Sequence, residues 1–202
     1  MKVYQDEMKK WKEKLDSKKY EIGKNKTQWD ENSEYRGEKK DGKEHGFGIL
    51  AWVKGPSKGD KYEGEFKNGE RHGKGIYHYA NGDKYEGDFK KGVESGKGVY
   101  HYVKGGRYEG ELKNGLGNGK GVLYSANGER YEGEFKNGNK NGQGVDFFLS
   151  GDRYVGEFKN GKGQGKGIYY YNHGDKYDGE FKNGLGNGKG IYYYETGDKY
   201  IG

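Results

Sequence analysis

Apolar residues are sparse along this chain, and they recur in one fixed arrangement. Tyr62 to Gly69 reads YEGEFKNG. Tyr62, Gly64 and Phe66 alternate with Glu63 and Glu65, the period of two that predicts a half-buried strand. The Asn-Gly that follows predicts a tight turn, because both residues tolerate positive φ. A Gly-x-Gly pair at Gly73 and Gly75 then opens a second predicted strand, Ile76 to Tyr79, and a further turn at Asn81–Gly82 leads onward. Each such segment predicts a β-hairpin with one apolar face, which cannot be buried alone and is buried by stacking on its neighbours.

The phrase repeats. Its leading Tyr falls at Tyr35, Tyr62, Tyr85, Tyr108, Tyr131, Tyr154, Tyr177 and Tyr200, with a first interval of 27 residues and six of 23. Counting that Tyr as position zero, +2 is Gly throughout, and +4 is Phe66, Phe89, Leu112, Phe135, Phe158 and Phe181. Positions +11 and +13 are Gly, +14 is Ile or Val, and +15 to +17 are mostly aromatic. The first copy is degenerate: Lys39 takes the aromatic position, and Pro56 to Gly59 are inserted before the next copy. The predicted fold is all-β: an elongated single-layer array of stacked antiparallel hairpins over residues 35–202, seven repeats and the start of an eighth. At two strands per repeat, seven repeats span on the order of 65–70 Å.

The pattern Y-E-G-E-F-x-N-G-x-x-x-G-K-G-x-Y-x-Y-x-x-G-D resembles the MORN (membrane occupation and recognition nexus) repeat over more than four fifths of the chain. Phe or Leu stands at +4 where Trp is common in that family. The resemblance implies an array of hairpins with a grooved face. It also implies a non-enzymatic structural scaffold, as in radial spoke head proteins of cilia and other cytoskeletal assemblies. Where members carry catalysis, it lies in a separate domain. The implied location is the cytoplasm and cytoskeleton, with the cilium or axoneme as the specific expectation.

Residues 1–34 differ in kind. Tyr4, Met8, Trp11 and Leu15 share one face of a predicted amphipathic helix that ends near Gly23, and residues 24–34 read as a linker. That face has three readings: it packs back over the first hairpin and covers an open sheet edge, it docks on another protein, or it lies on a membrane surface, against which Asp6, Glu7, Glu13 and Asp16 count.

Composition narrows the function. Hydrophobic residues make up 29% and charged residues 35%, which alone leans towards disorder; 21 Tyr, 8 Phe and 42 Gly with one Pro supply packing and turns instead. The net charge of +6 is spread among interleaved Lys and Glu, and this disfavours a nucleic-acid partner. No Cys is present, so thiol chemistry is excluded. His78 and His101 stand at +16, where other copies carry Tyr124, Phe147, Tyr170 and Tyr193, so they read as surface fillers and not as a base or metal ligand. The GKG triplets lack the following Ser or Thr of a phosphate loop. No cofactor or metal is expected. The six residues at +16 form the predicted partner-binding groove, since tyrosines on both faces of the second strand exceed what one core requires. Two other partners are carried as alternatives: anionic phospholipid, and a second copy meeting the first through the C-terminal repeats.

Overall fold

A computed structural model describes residues 2–21 and 27–202, apart from the side chains of residues 2, 3, 20, 21 and 27. Helix α1 spans Lys2–Glu21. The strands that follow are β1 (Thr27–Asp30), β2 (Ser33–Lys40), β3 (Lys43–Trp52), β4 (Lys61–Lys67), β5 (Glu70–His78), β6 (Lys84–Lys90), β7 (Val93–His101) and β8 (Arg107–Lys113). Beyond them come β9 (Leu116–Tyr124), β10 (Arg130–Lys136), β11 (Asn139–Phe147), β12 (Arg153–Lys159), β13 (Lys162–Tyr170), β14 (Lys176–Lys182), β15 (Leu185–Tyr193) and β16 (Lys199–Ile201). Strand order in the sheet is chain order.

The chain divides into two units, Met1–Lys104 with Leu112–Gly115, and Gly105–Glu111 with Leu116–Gly202. Both obey one register. In the first, Tyr62 pairs with Tyr77 and Gly64 with Gly75 across β4 and β5. In the second, Tyr154 pairs with Tyr169 and Gly156 with Gly167 across β12 and β13.

The turn inside each repeat rests on two residues at positive φ, Asn68 (52°) and Gly69 (86°) between β4 and β5, the geometry of a type I′ turn. The second strand therefore begins directly after that Gly, several residues ahead of the Gly-x-Gly pair that was expected to open it. The extra length is absorbed by a bulge between Gly64 and Phe66. Its consequence is the chain's most regular bond. The repeat tyrosine folds over the paired glycines and donates its hydroxyl to the carbonyl of position +3: Tyr62 to Glu65 at 2.9 Å, Tyr108 to Glu111 at 2.8 Å, Tyr154 to Glu157 at 3.0 Å.

The tyrosine ring also sits edge-on between two phenylalanines. Tyr62 lies 5.1 Å from Phe66 of its own repeat and 4.9 Å from Phe89 of the next. Tyr131 repeats this with Phe135 and Phe158. Edge-to-face pairs add about 0.5–1.5 kcal/mol each beyond the area they bury. Tyr62 and Tyr85 are fully buried, so a chain poor in aliphatics obtains a core one ring thick. Burial pushes the Tyr62 and Tyr85 phenols far above their ordinary pKa.

Two expectations for the N-terminal segment are corrected. Residues 27–34, assigned to a linker, include β1 and the start of β2: Thr27 pairs with Tyr35, and Trp29 packs against Tyr35 and Phe66. The alternation around Trp29 suffices for a strand once β2 offers it an edge. Residues 24–26 lie outside the described residues. Helix α1 does pack back in cis, but it covers a face of the sheet and not an open edge.

Candidate binding faces

The period of two gives every repeat two surfaces. Positions 0, +2, +4, +13, +15 and +17 share a tyrosine face. Positions −1, +1, +3, +12, +14 and +16 share a glutamate face.

On the first unit, α1 lies across the glutamate face. Tyr4, Met8, Trp11 and Leu15 are all buried and cluster with Phe47 and Ile76. Tyr4 donates to the Lys97 carbonyl at 2.5 Å, and the Trp11 indole N–H donates to Glu65 at 2.7 Å. Lys12 pairs with Glu86, and Lys19 with Glu63. Burial alone would raise these two carboxyls; Lys19 and Lys61 at Glu63, and Lys12 and Lys84 at Glu86, hold both below their ordinary value. Phe47 occupies +12, where later repeats carry Lys or Gln, so the sequence is adapted to the helix. An open cleft of about 370 Å³ remains between α1 and the sheet, lined by Lys12, Leu15, Lys19, Glu63 and His78 among others. Burial lowers the His78 pKa, with Glu63 opposing the shift.

On the second unit, no described element covers the glutamate face. Val122, Val145, Ile168 and Ile191 continue the +14 row and are half-buried. Beside them run Tyr124, Phe147, Tyr170 and Tyr193, also half-buried. Each carries a cation on its ring: Arg107 over Tyr124 at 3.7 Å, Arg130 over Phe147 and Arg153 over Tyr170 at 4.1 Å, Lys176 over Tyr193 at 4.2 Å. Arg107 also pairs with Glu109, and Arg130 with Glu132. Cation–π contacts of this kind are worth about 0.5–1 kcal/mol at exposed sites. The structure thus brings together four of the six groove residues on the second unit. His78 and His101 stand at the same repeat position on the first unit, where His78 lines the cleft beside α1. The −1 cations were not picked out from the sequence, although their spacing of 23 residues could have revealed them.

The tyrosine face carries a second feature that the sequence reading left unassigned. Rings at +15 and +17 stack into ladders. In the first unit the ladder is Trp52, Tyr77, Tyr79, Tyr100 and Tyr102, with centroid steps of 5.5, 4.5, 5.6 and 4.8 Å. In the second it is Phe148, Tyr169, Tyr171, Tyr192 and Tyr194, at 5.7, 4.7, 5.7 and 4.8 Å. Carboxylates at −2 fix alternate rungs: Tyr77 donates to Asp60, Tyr169 to Asp152 and Tyr192 to Asp175. Burial, then the carboxylate, pushes the Tyr169 phenol up to about 12.

The MORN repeat profile matches residues 35–57, 62–84, 85–107, 108–130, 131–145, 154–176 and 177–199. The chain belongs to the MORN-repeat family. The fifth MORN match stops at residue 145, and Asp146 then stands at +15 where four other repeats have Tyr. No curated protein matches this MORN chain. Among solved structures it is similar to the SAS-4 (dCPAP) TCP domain of Drosophila melanogaster, in complex with a proline rich motif of Ana2 (dSTIL), at 17% identity and TM-score 0.48, covering 77% of this chain and 83% of that one. It is also similar to a mutant TCP10 domain of Danio rerio CPAP, at 14% identity and TM-score 0.27, covering 84% of this chain and 87% of that one.

Proposed function

We propose that this MORN-repeat protein is a non-enzymatic scaffold that holds protein partners along the glutamate face of its second unit, in a cytoskeletal assembly. One observation carries the reading. The glutamate face of the first unit is occupied by α1, which buries four apolar residues and places two lysines on glutamates. The same rows on the second unit present an apolar floor and a cation-capped aromatic wall with no described element on them. The ciliary setting rests on the family alone and is the narrower part of the proposal.

Affinity purification of the intact chain beside an Ile168→Asp variant tests it. Ile168 is half-buried on the floor, away from the stacked tyrosines and phenylalanines. Cytoskeletal or axonemal proteins should co-purify with the parent and drop out with the variant. Equal recovery by both would remove the glutamate face as the partner surface.

A membrane reading has one observation in its favour: Lys113, Lys136, Lys159 and Lys182 stand exposed at the same position of successive hairpins. Residues 62–84, however, hold four acids and four bases, and attraction to anionic lipid needs a net basic surface, at about 1 kcal/mol per charge. Co-sedimentation with anionic vesicles that is strong and lost on adding salt would favour lipid over a protein partner.

A further inference from the structure

We propose that the aromatic ladder on the tyrosine face of the second unit docks a proline-rich segment in the polyproline II conformation, with arginine at its flanks. The argument begins with a length. One repeat is two strands, so equivalent rings recur about every 9.6 Å. A polyproline II helix advances about 9.3 Å per turn of three residues. A segment lying across the strands therefore presents the same side to each successive repeat. Other backbones do not keep step. An extended strand covers about the same distance in three residues, but its side chains alternate, so successive repeats would meet opposite faces. An α-helix needs between six and seven residues for that distance, which is not a whole number of turns.

The chemistry of the ladder suits the same occupant. Tyr169 and Tyr192 donate their hydroxyls to Asp152 and Asp175, at 2.9 and 2.6 Å, and are held as fixed ridges. Tyr171 and Tyr194, one repeat apart, make no hydroxyl hydrogen bond among the described residues. Polyproline II has no internal hydrogen bonds, so its carbonyls are free acceptors for those two phenols. Proline has no backbone N–H to leave unsatisfied against an aromatic surface. Tyr194 is 45% exposed, so the ladder is reachable without moving any element.

Charge supplies the flanks. Asp152 and Asp175 accept from ladder tyrosines, and Glu195 directly follows Tyr194. The nearby cations Arg153 and Lys176 are turned to the opposite face, stacked on Tyr170 and Tyr193. His173 stays on the ladder side, 5.4 Å from the Tyr171 ring and with its Nε2 3.1 Å from Asp175. The ladder is thus bordered by carboxylates from which the neighbouring arginine and lysine are withdrawn, which complements a basic flank.

The test uses the intact chain and a synthetic peptide of about nine prolines, enough for three turns, flanked by arginines. A control peptide has the same arginines with glycine and serine in place of proline. Binding is followed by calorimetry and by amide chemical shifts. The proline peptide should bind with a dissociation constant between about 10 μM and 1 mM, and the control peptide at least ten-fold more weakly. Tyr194→Ala and Tyr171→Ala should each weaken binding by about ten-fold, and Tyr194→Phe by less, since it keeps the ring and loses only the donor. Tyr193→Ala, on the glutamate face, should leave binding unchanged. Equal affinity for both peptides, absence of saturable binding, or shifts confined to the glutamate face would overturn the proposal. The contrast between positions 193 and 194 separates this surface from the partner surface proposed above, so either can fail alone.

Discussion

At the scale of single residues, the fold depends on glycines that make room for the repeat tyrosine. A Cβ on Gly121 would meet the Tyr108 hydroxyl at 2.7 Å and its ring at 2.8 Å. Gly119 has a different reason, a φ of 112° that side chains rarely adopt. Gly121→Val and Gly119→Val should each lower stability by more than about 1 kcal/mol, the first by clash and the second by strain, read as a fall in the denaturant midpoint. The turn residue gives a prediction of opposite sign. Lys91 holds φ 52° where Asn114, Asn137, Asn160 and Asn183 hold 50–54°. Asn accepts this left-handed conformation at lower cost than Lys. Lys91→Asn should therefore raise the midpoint slightly, by less than about 1 kcal/mol.

At the scale of elements, strands were legible because each carries a period of two and ends in turn chemistry. The turn was legible as Asn-Gly, but the bulge was not. It leaves no residue signature of its own, so the second strand looked shorter than it is. The helix was legible from Tyr4, Met8, Trp11 and Leu15, while its seat was not: an apolar stripe specifies what must be covered, and the choice between sheet edge and sheet face depends on partners such as Glu63, Glu86 and Phe47 that are distant in sequence. Of the six groove positions, the +16 spacing was readable, and the cations that cap four of them came only with the structure.

The seat of α1 predicts a pH response. The depressed carboxyls of Glu63 and Glu86 contribute stability above the ordinary glutamate value of about 4.3, and that contribution is lost as pH falls through their lower folded values. Trp11 fluorescence, corrected with a Trp11→Phe variant, should report α1 seated at neutral pH and loosening in acid. Leu15, 1% exposed, should matter at every pH. Leu15→Ala, a change that costs about 2–5 kcal/mol in a core, should raise amide exchange across α1 while β4 and β5 keep their protection. Equal loss in helix and strands would mean that α1 is part of the sheet's own stability and not a strap upon it.

At the scale of the whole molecule, stability is close to a sum of repeat terms and nearest-neighbour terms, so one irregular repeat is a local weak point. Among the repeats that follow the degenerate first copy, the fifth carries a buried charge where others carry an aromatic ring. Asp146 replaces the ladder tyrosine at +15 and binds Lys140 at 2.5 and 2.6 Å, where Gly117, Gly163 and Gly186 occupy the position of Lys140. Burial raises the Asp146 pKa despite that lysine. A raised folded value means the proton is held more tightly in the native state, so the penalty appears as pH climbs through it and is fully present at neutral pH. Replacing Asp146 alone would strand Lys140 among Tyr131 and Phe158, over whose rings it lies. The informative variant is therefore double, Asp146→Tyr with Lys140→Gly, which restores the residues of the sixth and seventh repeats, Tyr169 with Gly163 and Tyr192 with Gly186. The introduced phenol would find Glu129 at the −2 position, as Tyr169 finds Asp152. The double variant should gain about 1 kcal/mol at neutral pH. Its advantage over the parent should shrink as pH is lowered below the raised Asp146 value, because protonation relieves the parent. A gain that does not change with pH would trace the weakness of this repeat to packing and not to its buried charge.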